Sequence, residues 1–236
     1  MAVNGEVQGK SGLIIGASRG LGRGLSLELL QRGWTITATV RSVRGAGCEA
    51  YEAHHGQLTM DTLDINLPSM IDAFMCRIEG KLFDVVFIVA GVGDPEGKTV
   101  ETVSSEDVVH LIMTNAISPI RLAHRLLPYI RPETGILAFM SSFLGSVEAN
   151  TTGVSSLYSA SKAALNSLTR SFVATMPRQD ITVLNIHPGW VRTSIGGATA
   201  DIDVETSVAG IADILEAKAG MGGQHFLDYK GNAIPW

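Results

Sequence analysis

Tyr158 and Lys162 lie four residues apart in the segment LYSASKAAL, residues 157–165. The small residues around them predict a helix, where this spacing places both side chains on one face, one turn apart. A phenol with a pKa near 10 is a poor acid or base at neutral pH unless a nearby cation stabilises its phenolate. An ammonium about 4 Å away contributes on the order of 4 kcal/mol, or up to about three pKa units. The pair therefore predicts a tyrosine acid–base whose pKa Lys162 lowers; the alternative is a packed ring covered by the lysine stem.

A second candidate site is the glycine-rich segment LIIGASRGLGRGL, with Gly16, Gly20 and Gly22 between an apolar strand and an amphipathic helix. Glycine permits a tight turn and close backbone approach, and a helix N-terminus offers free N–H groups to a pyrophosphate. The segment therefore predicts a dinucleotide-binding turn. The alternative is an ordinary turn between a strand and a helix that happens to be rich in glycine.

The same segment also fits G-x-S-x-G, the nucleophile elbow of α/β-hydrolases, with Ser18 as nucleophile and Asp203 and His225 as later partners. An elbow serine needs an oxyanion N–H from an earlier loop between a strand and a helix. Too few residues precede Ser18 to supply that loop, so we favour the dinucleotide site.

The second predicted strand ends in TVRSVRG, where a carboxylate would bind a free ribose 2′-hydroxyl. Here that position is Val40, followed by Arg41. Arg41, together with Arg19 of the glycine segment and Arg44, is suited to hold a 2′-phosphate by charge-assisted hydrogen bonds. We therefore expect NADP(H) rather than NAD(H), the alternative being solvated surface arginines.

Strand-like and helix-like segments alternate along the whole chain. Strands are predicted at SGLIIGA, TITATV, LTMDTLDI, FDVVFIVAG, GILAFMSS, ITVLNIHPG and GGQHFLD, and helices at residues 21–33, 68–80, 104–129, 157–175 and 205–219. This alternation predicts the α/β class: a doubly wound parallel sheet, the Rossmann fold, with helices on both faces. No linker or repeat interrupts it, so we expect a single domain over residues 1–236.

Composition narrows the function classes. A net charge of −5 and a pI near 5.7 argue against nucleic acid or an anionic membrane as the main partner. The most apolar run, VVFIVAGV, is too short to span a bilayer, and the N-terminus has no signal-peptide pattern. Cys48, Cys76 and the scattered histidines form no disulfide framework and no metal-binding pattern. We expect a cytoplasmic protein without a metal site.

Taken together, these segments resemble the short-chain dehydrogenase/reductase family over nearly all of the chain. The closing FLDYKGNAIPW is similar to the C-factor and sniffer-like carbonyl reductase subgroup. The family's glycine turn matches Gly16, Gly20 and Gly22, and its active-site tetrad matches Asn115, Ser142, Tyr158 and Lys162. Its adenine contact matches Asp64, and its proline-glycine turn matches Pro188 to Thr193.

The resemblance implies reduction of a ketone or aldehyde by NADPH, or the reverse oxidation of an alcohol. Tyr158 would exchange the proton and Ser142 would hydrogen-bond the same oxygen, while Lys162 would hold the nicotinamide ribose and Asn115 a water linking the lysine to solvent. The implied cofactor contacts are Gly16, Ser18, Arg19, Gly20, Leu21, Gly22, Arg41, Asp64, Ile65, Ala90, Gly91, Tyr158, Lys162, Pro188, Gly189, Val191 and Thr193.

The chain also departs from the family pattern. Ile15 stands where the family usually has threonine, and Ile88-Val89-Ala90-Gly91 where it has Asn-Asn-Ala-Gly. Both changes remove side-chain hydrogen bonds that brace the cofactor cleft. We expect the substrate cleft between residues 92–97, 143–157 and 190–195, with an apolar face from Phe143, Leu144 and Trp190.

Two further expectations concern partners. The substrate should be a small carbonyl or alcohol, and the resemblance implies a homodimer or homotetramer formed through the helices at 104–129 and 157–175. The alternative function is a dinucleotide-binding signalling or scaffold protein of the C-factor type with little turnover. The intact tetrad favours the enzyme, because binding alone does not need Tyr158.

Overall fold

The computed structural model describes residues 9–42, 51, 54 and 56–236. These residues form one parallel sheet of seven strands in the order β3-β2-β1-β4-β5-β6-β7. The strands are β1 (Ser11–Ile15), β2 (Thr35–Val40), β3 (Leu58–Thr62), β4 (Val85–Ile88), β5 (Ile136–Met140), β6 (Thr182–His187) and β7 (Gln224–Asp228). The prediction of a doubly wound sheet is confirmed, with strand order reversing between β1 and β4. In such sheets ligands bind outside the carboxyl ends of the strands at this reversal.

The helices are α1 (Gly20–Gln31), α2 (Pro68–Arg77), α3 (Ser105–Ile112), α4 (Ser118–Leu126), α5 (Ser156–Thr175) and α6 (Val204–Lys218). Their boundaries follow local chemistry. Ser104 Oγ accepts from the Asp107 N–H at 3.1 Å to cap α3, and Asp203 Oδ1 accepts from the Thr206 N–H at 2.8 Å to cap α6. The predicted helix 104–129 is interrupted by a π-helical segment, Met113–Ile117, between α3 and α4.

Helices cover both faces of the sheet, as expected. Because successive strand residues point to opposite faces, β1 sends Leu13 and Ile15 to one core and Ile14 to the other. The first core packs against α2, α4 and α5, where Phe74, Leu122 and Phe172 are buried. The second core packs against α1 and α6. Strands buried on both faces explain the nearly continuous apolar runs in the sequence.

Among the described residues, no helix is both long enough and apolar enough to cross a bilayer.

Candidate active site

The glycine turn joins β1 to α1 at the reversal point of the sheet. Gly16 has a φ of +95°, and a Cβ there would lie 2.8 Å from the backbone N and Cα of Ala90. A Cβ on Gly22 would collide with the carbonyl oxygen of Gly16. Both positions therefore require glycine, because the turn is packed directly against the end of β4 and against itself.

The N-terminus of α1 faces out of this turn with its first N–H groups at Gly20, Leu21 and Gly22. Within the described part of the chain, no side chain caps α1 and its first turn carries no acidic residue. Such a terminus combines unpaired donors with the positive end of the helix dipole. The residues present therefore fit the pyrophosphate of a dinucleotide, as the sequence predicted.

Two residues that sequence reasoning missed brace this turn from the β2 side. The Thr39 carbonyl accepts from the N–H groups of Gly16 at 3.2 Å and Ala17 at 2.7 Å, and Thr39 Oγ1 also accepts from Gly16 at 3.2 Å. The buried hydroxyl of Tyr51 donates to the Ala17 carbonyl at 2.8 Å. These bonds hold the turn even though Ile15 lacks the hydroxyl usual in the family. No sequence signal pointed to Tyr51, which lies 34 residues from its partner.

The tip of β2 carries the predicted phosphate-binding side chains. Val40 is buried, whereas Arg41 and Arg19 are both exposed. Ile15 and Thr39 are register partners in β1 and β2, so both arginines lie just beyond the same edge of the sheet. Arg44 lies outside the described residues.

The loop after β3 carries Asp64 and Ile65, the residues of the expected adenine contact. Asp64 Oδ1 accepts from the Asn66 N–H at 2.9 Å, and Ile65 is buried. The Asn66 side chain then donates to Thr114 Oγ1 at 2.8 Å and accepts from Ser118 Oγ at 2.7 Å. Asn66, which the sequence analysis did not single out, therefore ties this loop to the π-helical segment.

Asn115 lies in that π-helical segment and is completely buried. Its Oδ1 accepts from the Val92 N–H at 2.8 Å, and its Nδ2 donates to the Val92 carbonyl at 2.8 Å and to Ser161 Oγ at 3.0 Å. Segments with π-helical geometry often occur at functional sites. Here Asn115 joins the loop after β4 to α5, the helix that carries Tyr158 and Lys162.

Ser142, Tyr158 and Lys162 meet at the carboxyl end of β5. Ser142 is buried directly after this strand, and its Oγ accepts from the Leu144 N–H at 3.2 Å. Tyr158 is half-buried, and the Ser142 side chain acts to lower the pKa of its hydroxyl. The buried Lys162 Nζ donates to the Met140 carbonyl at 2.8 Å and lies 5.5 Å from the centroid of the Tyr158 ring.

The electrostatics of this group differ from the sequence expectation. Burial raises the pKa of Tyr158 to about 12, the hydrogen bond from Ser142 acts in the opposite direction, and the charge of Asp94 adds to the rise. Burial also lowers the pKa of Lys162 to about 8. The expected net lowering of the tyrosine pKa by Lys162 is therefore not found, since burial of the phenol dominates. At neutral pH Tyr158 holds its proton and is suited to act as an acid.

The turn after β6 lies against the glycine turn. Gly189 has a φ of +85°, and the Pro188 carbonyl accepts from Ser207 Oγ at 2.7 Å. Thr193 Oγ1 accepts from the Gly196 N–H at 3.1 Å, and the Thr193 methyl lies 3.6 Å from the Cβ position of Gly20. Val191 pairs with Ile202 and closes the segment between them into a loop.

The expected substrate mouth is formed by loops that touch one another. Ile195 lies 3.6 Å from the Cβ position of Gly93, which joins the 190–195 and 92–97 loops. Phe143 and Leu144 are half-buried, and Trp190 is 50% exposed with its Nε1 donating to the Gly196 carbonyl at 2.8 Å. The glycine turn, the tetrad and the β6 turn thus converge at the carboxyl edge of the sheet.

The hydrolase alternative has no support in this geometry. Asp203 is the cap of α6, and a ring nitrogen of His225 lies 3.1 Å from the Gly222 carbonyl at the start of β7. Ser18 sits at the carboxyl end of β1, whereas β7 pairs with β6 at the edge of the sheet and begins at its other end. These three side chains are not a catalytic triad.

Comparison with known proteins agrees with the fold and the motifs. Residues 10–202 match the family described as short chain dehydrogenase. A solved structure from Burkholderia multivorans, described as a short-chain dehydrogenase/reductase with bound NADP, is 41% identical with a TM-score of 0.92 and covers 96% of this chain and 99% of that one. The carbonyl reductase Sniffer of D. melanogaster is 30% identical with a TM-score of 0.86, covering 97% of this chain and 100% of that one.

A curated relative points the same way. The C-signal of Myxococcus xanthus is 35% identical over 136 residues, which is 55% of this chain and 79% of that protein. The chain belongs to the short chain dehydrogenase family, a family of oxidoreductases, and is of the C-factor and sniffer-like type.

Proposed function

We propose that this protein is an NADP-dependent carbonyl reductase that reduces a ketone or aldehyde, or oxidises the corresponding alcohol. The observation that carries the proposal is the placement of Tyr158 beside the buried Lys162, whose Nζ lies 5.5 Å from the centroid of the Tyr158 ring, and near the buried Ser142 that follows β5. These three side chains lie at the same edge of the sheet as the glycine turn. The NADP bound to the Burkholderia multivorans structure and the carbonyl reductase activity named for Sniffer support the same assignment.

The chain's residues would divide the work by position. The N-terminus of α1 would hold the pyrophosphate, Arg41 and Arg19 the 2′-phosphate, and Asp64 and Ile65 the adenine. Lys162 would bind the nicotinamide ribose, and Val191 and Thr193 the carboxamide. When bound, the nicotinamide supplies or accepts the hydride.

The proton is the protein's own contribution. Tyr158 Oη would donate it to the carbonyl oxygen of the substrate, and Ser142 Oγ would donate a hydrogen bond to the same oxygen. Lys162 stays mostly protonated at pH 7, because its pKa is about 8, so its charge favours the phenolate that remains. For alcohol oxidation Tyr158 must first lose its proton, so a pKa of about 12 favours reduction at neutral pH.

The similarity to C-signal favours a second candidate, a dinucleotide-binding signalling protein with little turnover. The two functions differ in whether bound NADPH is consumed.

The test is loss of NADPH absorbance with aldehydes, ketones, quinones and diketones, with NADH in parallel. We expect turnover with at least one carbonyl class and a lower KM for NADPH than for NADH. Tight NADPH binding without turnover across the panel would favour the signalling protein, and a preference for NADH would overturn the assignment to Arg41 and Arg19.

We also propose a homodimer or homotetramer that assembles through the helical region of α3 and α4, residues 104–129, and through α5. The exposed Ala160 and Ser167 lie two turns apart on α5 and would allow close helix packing. Sedimentation velocity that shows only a monomer would contradict this. The single domain and the cytoplasmic location stay predictions.

A further inference from the structure

The loop that follows β4 touches a different part of the site with each of four consecutive residues. A Cβ on Gly91 would lie 3.5 Å from Lys162 Nζ. Val92 is held at both its N–H and its carbonyl by Asn115. Gly93 meets Ile195, and Asp94 Oδ1 accepts from the backbone N–H of Tyr158 at 2.6 Å.

The Asp94 contact occurs where α5 lacks a cap of its own. Ser155 is the N-cap residue of α5, but it has a φ of +50° and its side chain caps no N–H group. Tyr158 occupies the third helical position, whose N–H is one of the donors that an N-cap side chain normally binds. Asp94, 64 residues earlier in the chain, takes that place.

The same contact joins two walls of the expected substrate mouth. Asp94 of the first wall and Ser155, Ser156 and Leu157 of the second line one cavity of about 230 Å³. The backbone of Tyr158 is thus bonded to the loop after β4 rather than to an N-cap side chain of α5.

We propose that Asp94 is a positioning residue for the reaction: its carboxylate fixes the first turn of α5, and with it Tyr158, to the loop after β4. This inference rests on the proposed carbonyl reductase function. It assigns Asp94 two separable effects. Its acceptor oxygen holds the backbone of Tyr158, and its negative charge disfavours the phenolate.

Other charged groups lie on α5 itself and on or beside the loops of the expected substrate mouth. Lys162 lies on α5 itself, and Glu96 and Lys98 share the loop with Asp94. Glu148 lies on the segment after β5, and Arg192 on the segment after β6 pairs with Asp203 at 3.4 Å. Only Asp94 among them is hydrogen-bonded to the backbone of Tyr158, as far as the described residues show. Glu79, an exposed carboxylate in the turn after α2 and outside the expected substrate mouth, serves as the control position.

The test compares Asp94→Asn, Asp94→Ala and Glu79→Ala with the unmodified protein. Asp94→Ala removes the acceptor and should lower kcat between about tenfold and a hundredfold with little change in the Kd for NADPH, as expected when a reacting group is displaced by about 1 Å. Asp94→Asn keeps an acceptor oxygen and should restore most of kcat. Because it removes the negative charge, it should also move the rise of alcohol oxidation with pH to lower pH. Glu79→Ala should change neither kcat nor the pH profile.

Amide hydrogen exchange at Tyr158 supplies a readout that does not need turnover. The Tyr158 N–H should exchange slowly in the unmodified protein and in Asp94→Asn, and faster in Asp94→Ala. An Asp94→Ala variant with unchanged kcat and exchange would overturn the inference, as would an Asp94→Asn variant as impaired as Asp94→Ala. If Asp94→Ala does not fold, the kcat and the pH profile of Asp94→Asn, compared with those of Glu79→Ala, decide. If the unmodified protein shows no turnover, the proposed function is refuted rather than this inference. The exchange data then still test whether Asp94 holds the Tyr158 N–H.

Discussion

At the scale of single residues, the chemistry of the site depends on where two side chains hold their protons. Tyr158 has a pKa of about 12 and Lys162 a pKa of about 8, so both are largely protonated at pH 7. Lys162 is 3% exposed and is bonded to the Met140 carbonyl. Within the described residues no carboxylate bonds this ammonium. A buried ammonium in such a setting is unfavourable for folding, and such groups often mark functional sites.

We therefore predict that Lys162→Met stabilises the fold while it removes activity. The lowered pKa corresponds to about 3 kcal/mol of destabilisation of the folded state, which the substitution removes. The substitution also breaks the hydrogen bond to the Met140 carbonyl, which costs about 1–2 kcal/mol. The free energy of unfolding should therefore rise by about 1–2 kcal/mol at pH 7. Urea unfolding measures this.

The pH dependence of the stability gained by Lys162→Met tests whether the buried charge is its cause. The folded pKa is below the unfolded one, so between pH 8 and 10.5 the unfolded chain binds a proton that the folded protein has released, and the unmodified protein gains stability as pH rises. The advantage of Lys162→Met should shrink over this window. An advantage that does not change from pH 7 to pH 10 would contradict the buried charge as its cause.

At the scale of secondary-structure elements, the glycine turn depends on neighbours that are distant in sequence. Thr39 and Tyr51 bond the backbone of Gly16 and Ala17, where Ile15 and Val89 offer no side-chain hydrogen bonds. The expectation of a weakly braced cleft therefore overlooked hydrogen bonds from β2 and from Tyr51.

We predict that Tyr51→Phe weakens both the fold and the binding of NADPH. Loss of one buried hydrogen bond should lower the free energy of unfolding by about 1–2 kcal/mol, because the Ala17 carbonyl loses its partner. Chemical unfolding and fluorescence titration with NADPH measure the two effects. The matched control is Tyr129→Phe, whose hydroxyl lies 3.5 Å from the Met75 carbonyl. Equal NADPH affinity in Tyr51→Phe and the unmodified protein would contradict the brace.

The secondary-structure elements also show which features could be predicted from the sequence and which could not. Apolar periodicity predicted the seven strands and the main helices, because each is a local pattern confirmed by burial. The π-helical segment at Met113–Ile117 was missed, because it lies within one continuous helical pattern between α3 and α4. Contacts such as that of Asp94 with Tyr158 were missed because they join residues 64 positions apart.

At the scale of the whole molecule, the fold gathers separate segments at one edge. The turns after β1, β4, β5 and β6 meet where the strand order reverses, so the glycine turn, the tetrad and the substrate mouth become neighbours. Because every strand is parallel, their carboxyl ends share that edge. The residues matched by family resemblance could therefore be placed together from sequence, whereas the protonation state of Tyr158 required its burial to be known.

The central claim is that Tyr158 delivers the proton in an NADPH-dependent reduction. The most direct measurement is kcat for the best carbonyl substrate in the unmodified protein and in Tyr158→Phe, with NADPH affinity measured for both. Removing the proton donor while leaving the ring in place should lower kcat by at least about a hundredfold with NADPH affinity changed little. Comparable kcat values in the two proteins would contradict the account.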